Sequence, residues 1–184
     1  MKQEKTFNVK DIASIGIMAA LILISSKIEI VIGPSRIHMG NILCLFSAFY
    51  LKPLNAGLSS GLGSMFFDLL FHPGSFAFDF IITFINKFVL SFVASIIYNT
   101  KTISSTFYIF QYVFSGLCGQ IAYIILYMLK TFIQQRFLLS LPMSTVLPIM
   151  LTKLGASSIN AILAIIISTI LFSIIGKFIK SKSR

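Results

Sequence analysis

The sequence predicts an all-α membrane protein: a six-transmembrane-helix bundle with both termini cytoplasmic. Three observations predict it. Apolar residues make up 57% of the 184 and charged residues only 11%, against roughly 25% charged in an ordinary globular domain. Mean hydropathy is +0.94, more apolar surface than one soluble core of this size can hide. Six apolar runs, separated by short turn sequences, approach the length of about 20 residues that a helix needs to cross roughly 30 Å of hydrocarbon. These features exclude a soluble or disordered chain. They also disfavour nucleic-acid binding, because the net charge of +10 is not spread over a solvated face.

The first run, about 11–31, follows a basic start. It is read as a retained span, because no small-x-small cleavage site follows it and five more runs do. The second, about 38–51, is short. The others are about 54–71, 76–98, 105–129 and 146–176. Gly33-Pro34-Ser35, Lys52-Pro53-Leu54-Asn55, His72-Pro73-Gly74 and Asn99-Thr100-Lys101-Thr102 supply the turn chemistry between them. The longest connection, 131–147, carries Gln134, Gln135, Arg136 and Pro142 and is expected to fold back as a partly ordered lid. Residues 1–184 form a single integral membrane domain. Cys44 and Cys118 lie inside apolar runs and read as small buried hydrophobes, with no disulfide frame and no metal site.

Orientation follows from Lys and Arg. Lys2, Lys5 and Lys10 precede the first span, and Lys177, Lys180, Lys182 and Arg184 follow the last. Two basic ends on the cytoplasmic side require an even number of spans. Lys52 and Lys101 add to that side; Lys27, Arg36, Lys130 and Arg136 fall on the other. The loops alone do not carry the bias.

Polar side chains in hydrocarbon are costly and need a partner or a cavity. With this orientation most of them fall in the outer half, Gln111 being the chief exception. Lys153, Ser157 and Asn160 are spaced i, i+4, i+7 on one stripe of span six. Asp79, Thr83 and Asn86 repeat that spacing on span four, with Lys87 adjacent, and Gln120, Tyr123 and Tyr127 form a third stripe on span five. Arg36 and His38 open span two at the same depth. Three helices turning polar stripes inward at one level is the pattern of a small-molecule pocket. Plainer readings compete: Asp68 and Lys87 as a buried ion pair tying spans three and four, Asp79 as a helix N-cap, the tyrosines as an interfacial belt, Arg36 and His38 as a solvated loop. Small residues at Gly16 and Ala20 on span one, and at Gly57/Gly61 and Ser60/Ser64 on span three, let backbones approach closely in lipid. Span three is expected to use them inside the bundle, and span one to dock a partner.

No Walker A loop, HExxH, GxSxG or paired acidic prenyl-diphosphate motif occurs, so the chain carries no ATPase of its own and an intramembrane enzyme is disfavoured. The run from Arg36 to Leu45 (RIHMGNILCL), the run from Gly57 to Leu70 (GLSSGLGSMFFDLL) and Thr83-Phe-Ile-Asn-Lys87-Phe together resemble the substrate-binding S component of energy-coupling factor (ECF) vitamin transporters. The likeness is closest to the riboflavin, hydroxymethylpyrimidine or pyridoxine-type branch. Gly16–Ala20 resembles the small-xxx-small motif on that family's first helix. The resemblance implies a subunit of the bacterial plasma membrane that needs no cofactor. It would bind a water-soluble vitamin or precursor from outside, and would dock through span one on a transmembrane T component associated with two cytoplasmic ATPases. It places Lys153 and Asn160 among the ligand-contacting positions. Span four departs from the pattern: Phe76-Ala-Phe-Asp79-Phe stands where a proline is expected. A stand-alone secondary carrier or channel, which should show a polar path through the inner halves, and an assembly protein without ligand are the alternatives.

Overall fold

A computed structural model describes residues 8–32, 35–71, 78–100 and 108–182. His72, Lys101 and the start of span four at 76–77 lie outside the described residues, as do Lys2, Lys5 and Arg184. In chain order the elements are α1 (Val9–Ser26), β1 (Glu29–Ile32), β2 (Ser35–His38), α2 (Gly40–Tyr50), α3 (Pro53–Phe71), α4 (Asp79–Thr100), α5 (Tyr108–Ile133), a π-helical turn (Gln134–Leu138) and α6 (Met143–Lys182).

Each expected run contains a helix, but the helices are not equivalent as spans. Four segments, Val9–Ser26, Asp79–Thr100, Ile109–Leu138 and Met143–Ile174, are long and apolar enough to cross a membrane. At 11 residues, α2 rises only about 16 Å and is too short to cross alone. It is almost wholly buried instead, with Cys44, Leu45, Ser47 and Ala48 at 0% exposure. Rich in Gly and Ser, α3 falls short in hydropathy because its middle packs against neighbouring helices, with Ser59, Ser60 and Gly61 buried, while Leu69, Leu70 and Phe71 at its end are exposed.

The small residues of α3 set the interhelical distances. A Cβ on Gly57 would lie 2.8 Å from the Phe88 ring, and one on Gly61 would lie 2.7 Å from Phe84. On another face of α3 a Cβ on Gly63 would lie 2.5 Å from the Ala19 carbonyl. The helix is therefore pressed against both α4 and α1, as its sequence predicts. Serines bond the resulting close interfaces. Ser91 Oγ is 2.6 Å from Ser60 Oγ and 2.9 Å from the Cys44 carbonyl, Ser47 and Ser60 hydroxyls are 3.0 Å apart, and Ser95 donates to the Leu51 carbonyl at 3.1 Å.

The two ends of the bundle differ in chemistry. At the end holding the N-terminus of α1, Asp11 accepts from Asn55 at 2.9 Å and faces Lys52 at 3.6 Å. Above that contact Phe49, Tyr98, Tyr112 and Phe172 pack edge and face, with Tyr112 and Phe172 centroids 4.9 Å apart. Gln111 is absorbed there, its amide donating to the Tyr98 carbonyl at 2.6 Å. The opposite end is hollow.

Two local expectations are corrected. Residues 131–147 are not a loose lid: α5 runs on through the π-helical turn, and only Leu139–Pro142 separates it from α6. Pro142 closes this connection, its carbonyl accepting from Thr145 and Val146 in the first turn of α6, while Pro148 is accommodated inside the helix. Residues 29–38 are expected as the end of one span, a turn and the start of the next; within them Glu29–Ile32 and Ser35–His38 pair as the antiparallel strands of a hairpin, with Glu29 opposite His38 and Val31 opposite Arg36, while Gly33 and Pro34 lie outside the described residues.

Candidate functional site

The hollow end is bounded by the C-termini of α1, α3 and α5, the N-terminus of α4 and the N-terminal half of α6, with the hairpin across it. It encloses a cavity of about 230 Å³. Arg36, His38, Asn86, Lys87, Tyr123, Tyr127, Lys153, Ser157 and Asn160 all line it. Four cations (Arg36, Lys87, Lys130, Lys153) face three carboxylates (Glu29, Asp68, Asp79) across this space.

Hairpin geometry explains why Arg36 and His38 reach the cavity together. Directly opposed strand residues share a face, so Glu29, His38, Val31 and Arg36 lie on one side and Ile30 and Ile37 on the other. Arg36 bridges Glu29 at 3.4 Å on the cavity face. The β2 backbone is held by α6: the His38 N–H donates to Asn160 Oδ1 at 3.0 Å, and Asn160 Nδ2 donates to the Arg36 carbonyl at 2.8 Å.

The cavity floor is built by α4 and α5, with α2 behind it. Lys87, only 4% exposed, donates to Asn41 Oδ1. Its ammonium also lies 4.3 Å from the Tyr123 ring centroid. Tyr123 and Tyr127, one turn apart on α5, are nearly parallel at 9° with centroids 5.7 Å apart. Lys153 lies 5.7 Å from the Tyr127 centroid and, among the described residues, has no carboxylate partner. The arrangement offers two ammonium groups beside two aromatic faces, with the Asn86 amide and the Ser157 hydroxyl within the same wall. It can hold a flat, electron-poor ring by stacking and can donate to oxygens or nitrogens on that ring's edge.

The expected Asp68–Lys87 ion pair is replaced by other partners. Asp68 Oδ2 accepts from Thr83 Oγ1 at 2.6 Å, and no direct bridge joins Asp68 to Lys87 among the described residues. The polar groups nearest each charge satisfy it first. Asp79 opens α4, but its carboxylate reaches across to α5, to Lys130 at 2.9 Å and to the Gln134 amide. Gln120 is set apart from the other expected contacts. It is 1% exposed and does not line the cavity, and neither of its amide atoms has a hydrogen-bond partner among the described residues. Gly16 and Ala20 sit far from the cavity on the exposed side of α1, and nothing lies within 4 Å of a Cβ built on Gly16. Cys44 is buried and Cys118 half-buried, both free.

Sequence reasoning missed Glu29, Lys130 and Gln134 as wall residues. The α5 stripe 120, 123, 127, 130, 134 keeps one face at alternating steps of three and four. Ending the helix at 129 cut that stripe short. Outside this wall a second, apolar groove of about 590 Å³ runs between α4 and α5, lined by Ile82, Ile85, Leu126, Leu129, Ile133 and Leu138. Asn86, Lys130 and Gln134 form the partition between the groove and the cavity.

Residues 6–177 match the family described as "ECF-type riboflavin transporter, S component". No curated protein matches the sequence. The fold is similar to a solved structure described as "Structure and mechanism of the S component of a bacterial ECF transporter", with a TM-score of 0.65 and 16% identity over 93% of this chain and 98% of that one. At that identity the likeness is one of fold.

Proposed function

The chain belongs to the ECF-type riboflavin transporter S component family, and from that premise we propose that it is the vitamin-binding, substrate-specific subunit of an ATP-driven importer, with riboflavin or a similarly flat heteroaromatic vitamin as its ligand. The observation that carries this reading is the pairing of Lys87 with Tyr123 and of Lys153 with Tyr127 around one cavity. A ring stacked on the tyrosines would present its carbonyl oxygens and ring nitrogens to these ammonium groups and to Asn86 and Ser157. Four cations against three carboxylates disfavour a cationic vitamin, because a further positive charge would have to be desolvated beside Lys153, which has no carboxylate partner among the described residues.

In this reading residues 1–184 act as one domain of the bacterial plasma membrane. Both termini are cytoplasmic and the cavity faces outward. The exposed lane of α1 around Gly16 and Ala20 receives the transmembrane T component, and two cytoplasmic ATPases supply the energy that the chain has no motif to generate. The subunit itself catalyses no reaction. A stand-alone carrier is disfavoured because the serine hydroxyls leading away from the cavity are bonded to one another and to backbone carbonyls, not arranged around a second hollow.

The test is purification of the full chain in detergent, denaturation, and mass spectrometry of the released small molecules. It is followed by titration of the emptied protein with riboflavin, hydroxymethylpyrimidine and pyridoxine. Recovery of one vitamin with saturable rebinding supports the proposal. Absence of any bound metabolite, together with no vitamin that raises the melting temperature, would turn the reading toward an assembly protein.

A further inference from the structure

The hairpin of β1 and β2 contributes Glu29, Arg36 and His38 to the cavity wall, and its attachments are uneven. Its base is fixed. The Met39 N–H donates to the Ile28 carbonyl at 3.1 Å, and Gly40 is packed so closely that a Cβ there would collide with Ser26 Oγ and lie 2.9 Å from His38 Nδ1. Its outer face is loose, with Ile30 67% exposed, and even Val31 on the opposite face is 66% exposed. An isolated two-stranded hairpin is marginal at best, so what fastens the remaining edge decides whether it stays down.

Asn160 fastens that edge. In β2 the polar backbone atoms of Arg36 and His38 point away from β1, since Ile37 and Met39 are the residues that pair inward. Asn160 fills the vacant edge as a neighbouring strand would, accepting from His38 N and donating to Arg36 O. The side chain is 6% exposed, so little water reaches these bonds to compete. Each polar atom of the amide already has a backbone partner, so its orientation is fixed by β2.

We propose that Asn160 is a positioning residue, a clasp that holds the hairpin closed over the cavity, and that its release governs how fast a ligand enters and leaves. The kinetic half of this inference rests on the cavity being the vitamin site; the clasp itself does not. The two roles predict different kinetics. Loss of a direct contact raises the off-rate alone. Loss of a clasp opens the hairpin in the free and the bound protein alike, so on- and off-rates rise together while Kd stays nearly constant.

The experiment uses the full chain in lipid nanodiscs with riboflavin as probe. Amide hydrogen exchange is followed in the peptide carrying His38, and binding by stopped-flow fluorescence, for wild type, N160A and N160D. N160D keeps an acceptor for the His38 N–H and removes the donor to Arg36, so it serves if N160A does not fold. The expected result is exchange at His38 faster by about tenfold in ligand-free N160A, the consequence of losing two buried hydrogen bonds, with on- and off-rates of riboflavin both raised by a similar factor and N160D between. Unchanged His38 exchange overturns the clasp, and so does a rise confined to the off-rate. If wild type does not bind riboflavin but N160A still speeds His38 exchange, the clasp stands and the vitamin assignment falls.

Discussion

Replacing Lys153 by Met tests the ligand reading most directly, because the structure separates its effect on binding from its effect on stability. The ammonium has no carboxylate partner among the described residues and lies 5.7 Å from the Tyr127 centroid, a contact worth about 0.5–1 kcal/mol at most in a partly exposed setting. Met keeps the apolar stem and removes the charge. Stability should therefore hold or rise slightly, since a half-buried cation without a counter-charge is a net cost. Binding should fall. A hydrogen bond from a charged donor contributes about 1.5–3 kcal/mol, so Kd for riboflavin should increase by roughly 10- to 150-fold. The chain has no Trp, so the ligand's own fluorescence can be titrated without strong protein emission, and melting of the same samples reads stability. An affinity within about twofold of wild type would remove Lys153 from the site, a change of at most ~0.4 kcal/mol being too small for a charged hydrogen bond. A fall in melting temperature that tracks the loss of binding would make it a structural residue.

Three other substitutions test other parts of the account. G61A places a Cβ 2.7 Å from the Phe84 ring and 3.1 Å from its carbonyl, and should destabilise by about 1–3 kcal/mol; an unchanged melting temperature would show that α3 and α4 can part freely. D79N removes the anion facing Lys130 and should cost about 1–3 kcal/mol, less than a fully buried pair because both groups keep some solvent contact. That loss is read by thermal melting, and an equal stability would show the partition is not held by charge. G16L meets open space and should leave melting and vitamin affinity unchanged while abolishing co-purification with a T component and uptake; persistent uptake would move the docking face elsewhere.

The polar stripes were readable in the sequence because helix spacing is enough to show a shared face. Lys153, Ser157 and Asn160, like Tyr123 and Tyr127, needed only that spacing to be placed on the wall of one hollow. What spacing could not give was partnership. Lys87 and Asp68 are opposite charges at compatible depths, yet each is bound by a neutral neighbour, Asn41 and Thr83, whose proximity depends on how α2 and α3 pack. Asn160 stood out as a polar group on a pocket-facing stripe, but its engagement with β2 could not appear before the hairpin did. The hairpin had its own signal, the β-branched run Ile28-Glu29-Ile30-Val31-Ile32 ahead of Gly33-Pro34, which was masked by the length expected of a spanning helix. Gln120 shows the opposite limit: its stripe is right, but one turn further from the mouth the stripe has already passed into packed protein.

The serine contacts and the aromatic cluster bear on whether a ligand in the proposed site could leave through the opposite end of the bundle. Beyond the cavity, Ser47, Ser60 and Ser91 fill the α2–α3–α4 interface with mutually satisfied hydroxyls, and Phe49, Tyr98, Tyr112 and Phe172 close the far end. Opening an inward path would break several buried hydrogen bonds at about 1–3 kcal/mol for each group left unpaired and part helices that glycine has brought into direct contact. Releasing the hairpin costs two bonds at the other end. Under the proposed function, a ligand would therefore leave most readily by the mouth it entered, and inward delivery would be easier if that mouth were carried to the other side than if a second one were opened. In the proposed cycle this is why the energising partner must grip the body of the bundle, for which the uncovered lane of α1 is suited, while the packed interior of α2, α3 and α4 travels unchanged.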